Sequence, residues 1–372
     1  MYNIKTLNKI AAVGTDIFDK NKYTISDNAE NPDAIMVRSA SMHDMEFGSN
    51  LVAIARAGAG VNNIPVDKCS DAGICVFNTP GANANAVKEL VIAGLLLSSR
   101  KIGAAMEWVQ TIKNEGEQVG KLVEKGKSQF AGPEIKGKTL GVIGLGAIGV
   151  LVANAAVELG MQVIGSDPFL SVKSALKISP KVKIAASLDD VYKEADYLTI
   201  HIPFNADTKG FINAETISKM KDGARVLNFA RGELVDDAAI LPALENDKLS
   251  CYVTDFPNAN VIGAKNVVAI PHLGASTPES EDNCAVMAAH ELIDYIEDGN
   301  IKNSVNLPDA EMVAEGTKIC VIHKNVPSII SQITTTLAGK GINIENMLNK
   351  SKKEYAYTMI DAACDRVSDD VI

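Results

Sequence analysis

Positive charge is scarce in this sequence, and arginine is scarcer still. The 372 residues include 36 Lys and Arg against 46 Asp and Glu, which gives a net charge of −10. This balance argues against nucleic acid and anionic membranes as partners, whereas a small anionic substrate responds to local charge and is not excluded. Only six of the 36 basic residues are arginines, at positions 38, 56, 100, 225, 231 and 366. The positions of these few guanidinium groups are therefore informative.

Long apolar runs and paired cysteines are also absent. The longest apolar run, 90–93 and 95–97 around one glycine, is far shorter than the roughly 20 residues that span a bilayer. The first residues, M-Y-N-I-K, show no signal-peptide pattern. The six cysteines form no C-x-x-C pair and no zinc-ligand spacing, so we expect reduced thiols and no metal site. With 47% hydrophobic residues, these features predict a cytoplasmic globular protein of two or three domains.

The most informative feature that is present is a glycine-rich turn. Residues 139–149 read T-L-G-V-I-G-L-G-A-I-G, which predicts a strand, a tight turn and a helix over 147–159. In this pattern Gly144 permits the turn, Gly146 lets the backbone approach a pyrophosphate, and Gly149 lets helix and strand pack closely. The helix starts at Ala147 and Ile148, and its first amides and positive dipole end point at the phosphates.

An acidic residue follows this turn at a suitable distance. A second predicted strand, 162–165, leads to Asp167, eighteen positions after Gly149. A carboxylate there can accept hydrogen bonds from an adenosine ribose. It would also repel a 2′-phosphate, and the next residues, Pro168 and Phe169, supply no cation. The sequence therefore predicts NAD rather than NADP as cofactor.

Strands and helices alternate on both sides of this motif. The apolar segments 34–37, 51–55 and 74–77 each run into a loop with arginine, glycine or asparagine, which predicts a small parallel sheet. After Asp167 the alternation continues to about residue 270, as in a doubly wound sheet. We therefore predict an α/β protein. Its NAD domain is of the Rossmann type and covers 89–284, and a smaller, discontinuous flavodoxin-like substrate domain covers 1–88 and 285–308.

Two side chains at predicted strand ends suit redox chemistry on a 2-oxoacid. Arg231 follows the strand 225–228, where a guanidinium can hold a carboxylate with two hydrogen bonds and polarise the adjacent ketone. His272 lies between the strand 267–270 and a helix start. Histidine is the natural proton donor when a hydride reaches a carbonyl carbon near neutral pH.

Together these motifs resemble those of the D-isomer-specific 2-hydroxyacid dehydrogenases. The resemblance covers residues 1 to about 305, and it rests on the glycine turn with Asp167, on H-I-P at 201–203, on A-R-G at 230–232, on Asp255 and on P-H at 271–272. It implies that Arg231 binds the substrate carboxylate and 2-oxygen, and that His272 takes the hydroxyl proton. It also implies that further residues line the cofactor, namely His201, Ile202, Pro203, Phe229, Ala230, Asp255 and Gly274.

The loops of the first domain resemble those of family members with a phosphorylated substrate. The match lies in V-R-S at 37–39, R-A-G-A-G at 56–60 and N-T-P-G-A-N at 78–83. It implies oxidation of D-3-phosphoglycerate to 3-phosphohydroxypyruvate, the first step of phosphorylated serine biosynthesis. Because the family is commonly dimeric through its cofactor domain, we also expect a homodimer or a higher homo-oligomer. The residues expected to hold the substrate are Arg38, Ser39, Arg56, Ala57, Gly58 and Asn83.

One departure from the family pattern concerns the histidine. The family reads D-V-F-x-x-E-P after the strand that ends at Asp255, and that glutamate pairs with the catalytic histidine. This chain reads D-F-P-N-A-N and has no glutamate between Cys251 and His272. Two hypotheses remain open. Either His272 works unassisted, so that ketone reduction fades at a lower pH than in relatives with the glutamate, or Lys265 takes over part of the proton transfer.

Residues 317–372 are predicted to form a separate small module. Patterns over 317–323, 326–338, 342–348 and 355–362 indicate strand, helix, strand and strand, and they resemble an ACT regulatory domain, a βαββαβ unit. In serine-sensitive family members the positions matching His323, Asn325 and Asn343 contact the effector serine. Ser368 looks like a helix start, yet the sequence ends at Ile372, so we expect an incomplete βαββ unit.

Two other functions stay open at this stage. One is the reduction of another 2-oxoacid, such as hydroxypyruvate or glyoxylate, by the same residues. The other is an NAD(H)-sensing binding protein without catalysis, similar to the corepressors that share this fold, because a fold does not determine its function. Turnover separates the sensor from both enzymes, since a sensor binds NADH without consuming substrate.

Overall fold

The computed structural model describes residues 1–367, which form two compact units. One unit combines Met1–Asn83 with the chain from Pro278 onward, and the other is Ala84–Thr277. The predicted boundaries at 88/89 and 284/285 would cut two long helices, whereas the observed boundaries lie where those helices begin. A helix packs as one rigid element, so each helix stays within one unit. The helix start predicted at Ser368 lies outside the described residues.

The first unit is built on a five-stranded parallel sheet. Its strands are β1 Tyr2–Leu7, β2 Tyr23–Ser26, β3 Ala34–Val37, β4 Ala53–Arg56 and β5 Cys75–Asn78. Their order is β2-β1-β3-β4-β5, the flavodoxin-like arrangement that was predicted. Two short helices accompany them, α1 Ala12–Thr15 and α2 Val66–Asp71. Strands β1 and β2 were not predicted; in β1, polar residues such as Asn3 and Lys5 interrupt the apolar pattern.

The second unit is a doubly wound sheet of seven parallel strands, which confirms the predicted Rossmann-type fold. The order is β12-β11-β10-β9-β6-β7-β8. The strands are β6 Thr139–Ile143, β7 Gln162–Ser166, β8 Val182–Ile184, β9 Tyr197–Ile200, β10 Ala224–Asn228, β11 Leu249–Thr254 and β12 Val267–Ala269. The helices are α3 Ala84–Arg100, α4 Ile102–Thr111, α5 Val119–Gly126, α6 Ala147–Glu158, α7 Val172–Ala175, α8 Leu188–Glu194, α9 Ala214–Lys219 and α10 Asp237–Glu245.

The chain then returns to the first unit, where a long helix is followed by a small antiparallel sheet. The elements are α11 Pro278–Asp298, β13 Thr317–Lys324, α12 Ile329–Gly339, β14 Ile344–Lys352 and β15 Tyr355–Ala362, and the strand order is β13-β15-β14. The βαββ sequence is as predicted. The small sheet does not stand apart, however: Tyr357 and Met359 of β15 join Phe77 of β5 in one hydrophobic cluster. Because β15 is buried along nearly its whole length, this sheet shares the core of the first unit.

Three properties of residues 1–367 bear on function. No helix in this range combines the length and the apolar character needed to cross a bilayer. No group of three or more His, Cys, Asp or Glu side chains in the range is arranged to hold a metal ion. All six cysteines are free thiols.

Candidate active site

The glycine-rich turn lies between β6 and α6, at the carboxyl edge of the second unit's sheet. Gly144 has φ +89°, and a Cβ atom there would come within 2.5 Å of the carbonyl oxygen of His201. A Cβ atom on Gly149 would lie 1.9 Å from the carbonyl oxygen of Gly144. A side chain at either position would therefore collide with backbone. Both glycines are needed to bring α6 onto the turn.

Gly146 differs from these two glycines because the space beside it is open. Gly146 is the N-cap of α6, and no side chain of this residue occupies the helix start. A Cβ atom added to Gly146 would have no neighbour within 4 Å. The first-turn amides of Ala147 and Ile148 thus face a surface that a pyrophosphate can approach. The geometry fits a dinucleotide.

Asp167 stands at the end of β7, beside this turn. Its Oδ2 accepts a hydrogen bond from the amide of Leu145 at 2.9 Å, and its Oδ1 accepts one from the amide of Phe169 at 2.8 Å. Two backbone donors therefore fix the carboxylate, and each oxygen keeps a lone pair for a ribose hydroxyl. The strands adjacent to the turn, β6 and β9, lead to connections on opposite sides of the sheet, which makes this the topological switch point where ligands bind.

His201 lies at the end of β9, next to Gly144. Its Nε2 is 3.0 Å from the Thr199 hydroxyl, and its Nδ1 is buried and has no hydrogen-bond partner among residues 1–367. Burial lowers the pKa of His201 to about 4, so the imidazole is neutral near pH 7. A neutral ring with a spare nitrogen suits a wall of the cofactor site and does not suit a proton donor to the substrate.

Asp255 follows β11 and is fully buried. Its Oδ2 accepts a hydrogen bond from the amide of Gly274 at 3.1 Å, whereas its Oδ1 is buried and has no hydrogen-bond partner in the part of the chain that the structure describes. Burial raises the pKa of the Asp255 carboxyl, and the Gly274 amide and the charges of His272 and Arg231 act in the opposite direction. A buried oxygen without a donor is costly. The Oδ1 atom is thus ready to accept a hydrogen bond from an N–H group of a bound cofactor, such as its carboxamide.

Arg231 is exposed and lies just beyond β10. Its Nη1 donates to the carbonyl oxygen of Ala230 at 2.7 Å. The backbone around it is held by Asn228, which is fully buried: its Nδ2 donates to the carbonyl oxygen of Arg231 at 2.8 Å, and its Oδ1 accepts from the amide of Ala230 at 3.1 Å. Asn228 was not predicted as a site residue. Its position as the last residue of a buried strand was the available signal.

His272 is exposed and lies in the turn between β12 and α11. The carbonyl oxygen of His272 accepts a hydrogen bond from the Ser276 hydroxyl at 3.5 Å. The imidazole packs on Phe256, with ring centroids 4.4 Å apart and planes at 44°. The same aromatic ring lies under the guanidinium of Arg231, whose central carbon is 5.7 Å from the ring centroid. The structure thus brings together the two residues predicted to act on the substrate, through a residue that was not predicted.

The position of Lys265 argues against the hypothesis that it shares the proton transfer. Its Nζ forms an ion pair with Asp247 at 3.1 Å and donates to the carbonyl oxygen of Glu245 at 3.1 Å. Lys265 and its two partners precede the first residues of β12 and β11, whereas His272 follows the last residue of β12. The starts and the ends of parallel strands lie at opposite edges of the sheet, so Lys265 and His272 are on different edges.

The predicted substrate residues of the first unit lie at the carboxyl edge of its own sheet, where β3 and β4 end side by side. Arg56 Nε donates to the carbonyl oxygen of Arg38 at 3.1 Å, and Arg38 Nη2 forms an ion pair with Glu281 at 2.5 Å. Arg56 also packs over Gly58, where a Cβ atom would lie 2.3 Å from Nη1. The two arginine loops are therefore adjacent. Ala57 is buried, while Asn83 is half-buried just before α3.

Asn8 is a second residue that the sequence analysis missed. Its Oδ1 accepts hydrogen bonds from the amides of Ser39 and Ala40, at 3.0 and 2.6 Å, and its own backbone has φ +69°. It shapes the loop after β3 that carries Arg38 and Ser39. Asparagine tolerates this left-handed conformation better than most residues.

The three predicted effector residues do not come together within one chain. His323 pairs with Ala356 at one end of β15, whereas the carbonyl oxygen of Asn343 accepts from the amide of Ala363 beyond the other end. At about 3.3 Å per strand residue, the two sites lie roughly 20 Å apart. His323 is also held by contacts of Nε2 with the Thr358 hydroxyl, at 2.9 Å, and of Nδ1 with the carbonyl oxygen of Lys324, at 2.8 Å. Asn325 Nδ2 donates to the carbonyl oxygen of Lys353 at 3.4 Å.

Several known proteins are similar to this chain in sequence. The model of the D-isomer-specific 2-hydroxyacid dehydrogenase NAD-binding domain matches residues 92–274. D-3-phosphoglycerate dehydrogenase of Synechocystis is 37% identical over 285 residues, which are 74% of this chain and 49% of that protein. Hydroxypyruvate reductase of Thermotoga maritima is 36% identical over 279 residues, which are 71% of this chain and 83% of that protein.

A solved structure agrees with these matches. The crystal structure of NAD⁺-bound 3-phosphoglycerate dehydrogenase of Entamoeba histolytica is similar with a TM-score of 0.64 at 26% identity, and the match covers 82% of this chain and 98% of that one. The chain spans only about half the length of the Synechocystis relative. The predicted cofactor, NAD, is confirmed by the NAD-binding domain that the chain matches.

Proposed function

The chain belongs to the D-isomer-specific 2-hydroxyacid dehydrogenase family, and on this basis we propose that it oxidises D-3-phosphoglycerate to 3-phosphohydroxypyruvate. This would be the first step of phosphorylated serine biosynthesis. The observation that carries the proposal is the grouping of Arg231, Asp255 and His272 at the carboxyl edge of the NAD-binding sheet. The grouping combines a carboxylate clamp, a buried cofactor ligand and an acid/base.

The roles of the side chains follow from their chemistry. NAD supplies the acceptor for the hydride that leaves C2 of the substrate. Arg231 holds the substrate carboxylate with its planar fork and polarises the 2-oxygen. His272 takes the hydroxyl proton as the C2–O bond becomes a carbonyl, and it returns a proton to the oxygen in the reverse direction. A positioned acid/base of this kind contributes about two to four orders of magnitude in rate.

The phosphate of the substrate is assigned to the loops of the first unit. Arg38, Ser39, Arg56 and Asn83 would hold it, with Ala57 and Gly58 supplying backbone. Support comes from the adjacency of the two arginine loops, in which Arg56 donates to the Arg38 carbonyl. Arg38 is paired with Glu281, so the phosphate would replace that carboxylate as the partner of Arg38.

A second candidate is the reduction of hydroxypyruvate. It is favoured by the match to the Thermotoga hydroxypyruvate reductase, which this chain covers over 83% of its length. The same Arg231 and His272 would serve, without any role for a phosphate. Substrate preference therefore separates the two candidates.

The test is NADH consumption with four ketones: 3-phosphohydroxypyruvate, hydroxypyruvate, pyruvate and glyoxylate. We expect kcat/KM to be highest for 3-phosphohydroxypyruvate. A higher value for hydroxypyruvate would favour the second candidate. NADH binding without consumption of any ketone would contradict both and favour the sensor.

Regulation and assembly complete the proposal. We propose a cytoplasmic homodimer or higher oligomer that serine inhibits. Because His323 and Asn343 are far apart in one chain, serine would contact His323 and Asn325 of one copy and Asn343 of another. Equilibrium sedimentation with and without serine, combined with NADH turnover, tests this part separately from the main reaction.

A further inference from the structure

The residue between the two proposed substrate-binding side chains is Phe256. Its ring centroid is 4.4 Å from that of His272 and 5.7 Å from the guanidinium carbon of Arg231. We propose that Phe256 is a positioning residue, whose ring orients the His272 imidazole and the Arg231 guanidinium for the reaction. This inference rests on the proposed function and deepens it.

The backbone of Phe256 is well fixed, which a positioning residue requires. Its amide donates to the hydroxyl of the buried Thr254 at 3.0 Å. The preceding residue, Asp255, is tied to the amide of Gly274, and the following residue, Pro257, restricts Phe256 to extended backbone. These three constraints determine the direction in which the ring leaves the backbone.

The arginine loop passes close to Phe256 at Gly232. A Cβ atom on Gly232 would lie 3.4 Å from Cβ of Phe256 and 3.7 Å from its carbonyl oxygen. The loop after β10 and the loop after β11 therefore approach each other directly at Phe256. A single aromatic side chain links the arginine to the histidine.

An aromatic ring can supply part of what a carboxylate supplies to a histidine. A carboxylate orients the imidazole by a hydrogen bond and stabilises its protonated form. The Phe256 ring restricts the imidazole by packing, and its electron-rich face attracts the cationic forms of both histidine and arginine. The ring accepts no hydrogen bond of ordinary strength, so its effect on protonation is smaller than that of a carboxylate.

The test compares Phe256→Leu with Phe256→Tyr and with the matched control Phe211→Leu. Phe211 is a half-buried phenylalanine of the same unit that packs on the core. For Phe256→Leu we expect kcat of ketone reduction to fall about two- to fivefold, the size of an aromatic–cation contact at an exposed site. We expect its high-pH limb to move to lower pH, while NADH affinity changes less than about twofold. Phe256→Tyr retains the ring and restores both properties.

A readout independent of turnover separates this inference from the proposed function. The protein has five histidines, so the NMR signals of His272 can be assigned with His272→Gln. Loss of the Phe256 ring should remove its ring-current shift on the His272 signals, whereas Phe211→Leu should leave those signals unchanged. If the wild type turns over no ketone but these NMR changes occur, the proposed function fails and the positioning contact stands. If Phe256→Leu leaves the His272 signals and the pH profile as in wild type, the inference is overturned.

Discussion

The two arginine-bearing edges of this protein are organised in different ways. In the second unit, buried polar groups hold the site: Asn228 fixes the backbone at Arg231, and Asp255 ties its own loop to Gly274. In the first unit, the phosphate-binding candidate Arg38 is paired with Glu281, and both side chains are 41% exposed. Buried hydrogen bonds persist whether or not ligand is bound, whereas an exposed ion pair exchanges partners at little cost.

The difference suggests a division of tasks. The buried edge is suited to chemistry, because positioned groups need no reorganisation when the reaction occurs. The exposed edge is suited to recognising an anion that competes with a carboxylate. Four predictions sharpen this contrast, in order from the largest expected effect to the smallest.

The largest effect is expected from Arg231→Lys. Lysine keeps the charge and loses the planar fork, so kcat/KM for the ketone should fall by about 10²–10³, comparable to the loss of one oxyanion donor. NADH affinity should stay within about twofold of wild type. The same substitution at the exposed Arg100 serves as the matched control and should change neither quantity. Equal kinetics of the Arg231→Lys variant and the wild type would contradict the assigned role.

The next largest effects are expected from two substitutions in the glycine turn, of which one should change stability and the other NADH affinity. Gly149→Ala places a methyl group 1.9 Å from a backbone oxygen, so the free energy of unfolding should fall by about 1–3 kcal/mol. Gly146→Ala meets no protein atom within 4 Å and should leave stability nearly unchanged. It should nevertheless weaken NADH binding about tenfold or more, because the methyl group occupies the pyrophosphate surface. Urea unfolding and NADH fluorescence titration measure the two effects, and equal NADH affinity in Gly146→Ala and wild type would argue against this pyrophosphate site.

A pH effect of intermediate size is expected from His201. Its pKa is lowered from 6.5 to about 4 by burial, so the unfolded chain binds its proton at a higher pH than the folded protein does. The contribution of His201 to the free energy of unfolding is complete above about pH 6.5. It is lost as the pH falls towards 4, by roughly 1–3 kcal/mol. His201→Gln should therefore flatten the pH dependence of unfolding in this window. His290→Gln, on the exposed face of α11, should not, and a wild-type pH dependence in His201→Gln would contradict the assignment.

The smallest effect is expected from Glu281→Gln in the exposed edge. Exposed ion pairs contribute about 0–1 kcal/mol, so freeing Arg38 should lower KM for 3-phosphohydroxypyruvate by about two- to fivefold. The KM for hydroxypyruvate, which lacks the phosphate, should not change, and this difference is the internal control. An equal change for both ketones would show that Glu281 acts on the common part of the substrate.

The local patterns predicted the NAD-binding turn closely. The strand, turn and helix around Gly144 to Gly149 and the acidic residue Asp167 depend on contacts within about thirty residues, so the sequence displays them directly. The same applies to the alternation of strands and helices that identified two parallel sheets. β1 and β2 escaped prediction because their burial comes from neighbouring strands rather than from an apolar pattern of their own.

Long-range packing decided three points that no pattern showed. Lys265 seemed close to His272 in the sequence, but β12 lies between them and places them at opposite edges of the sheet. The C-terminal strands were expected to stand apart, yet β15 is buried in the core of the first unit. Asn228 and Asn8 were missed because their roles are hydrogen bonds to loop backbone.

By itself, the sequence determined the cofactor class, the fold class and the identity of the two candidate reactive residues, since each depends on a short motif at the end of a strand. Only the tertiary structure decided what supports those residues. The ring of Phe256 meets Arg231 and His272 because three parallel strands end at the same edge of one sheet. That convergence arises from the strand order and the packing of whole elements. Arg231 lies 25 positions before Phe256 and His272 lies 16 positions after it, so no short sequence pattern shows that the three residues meet.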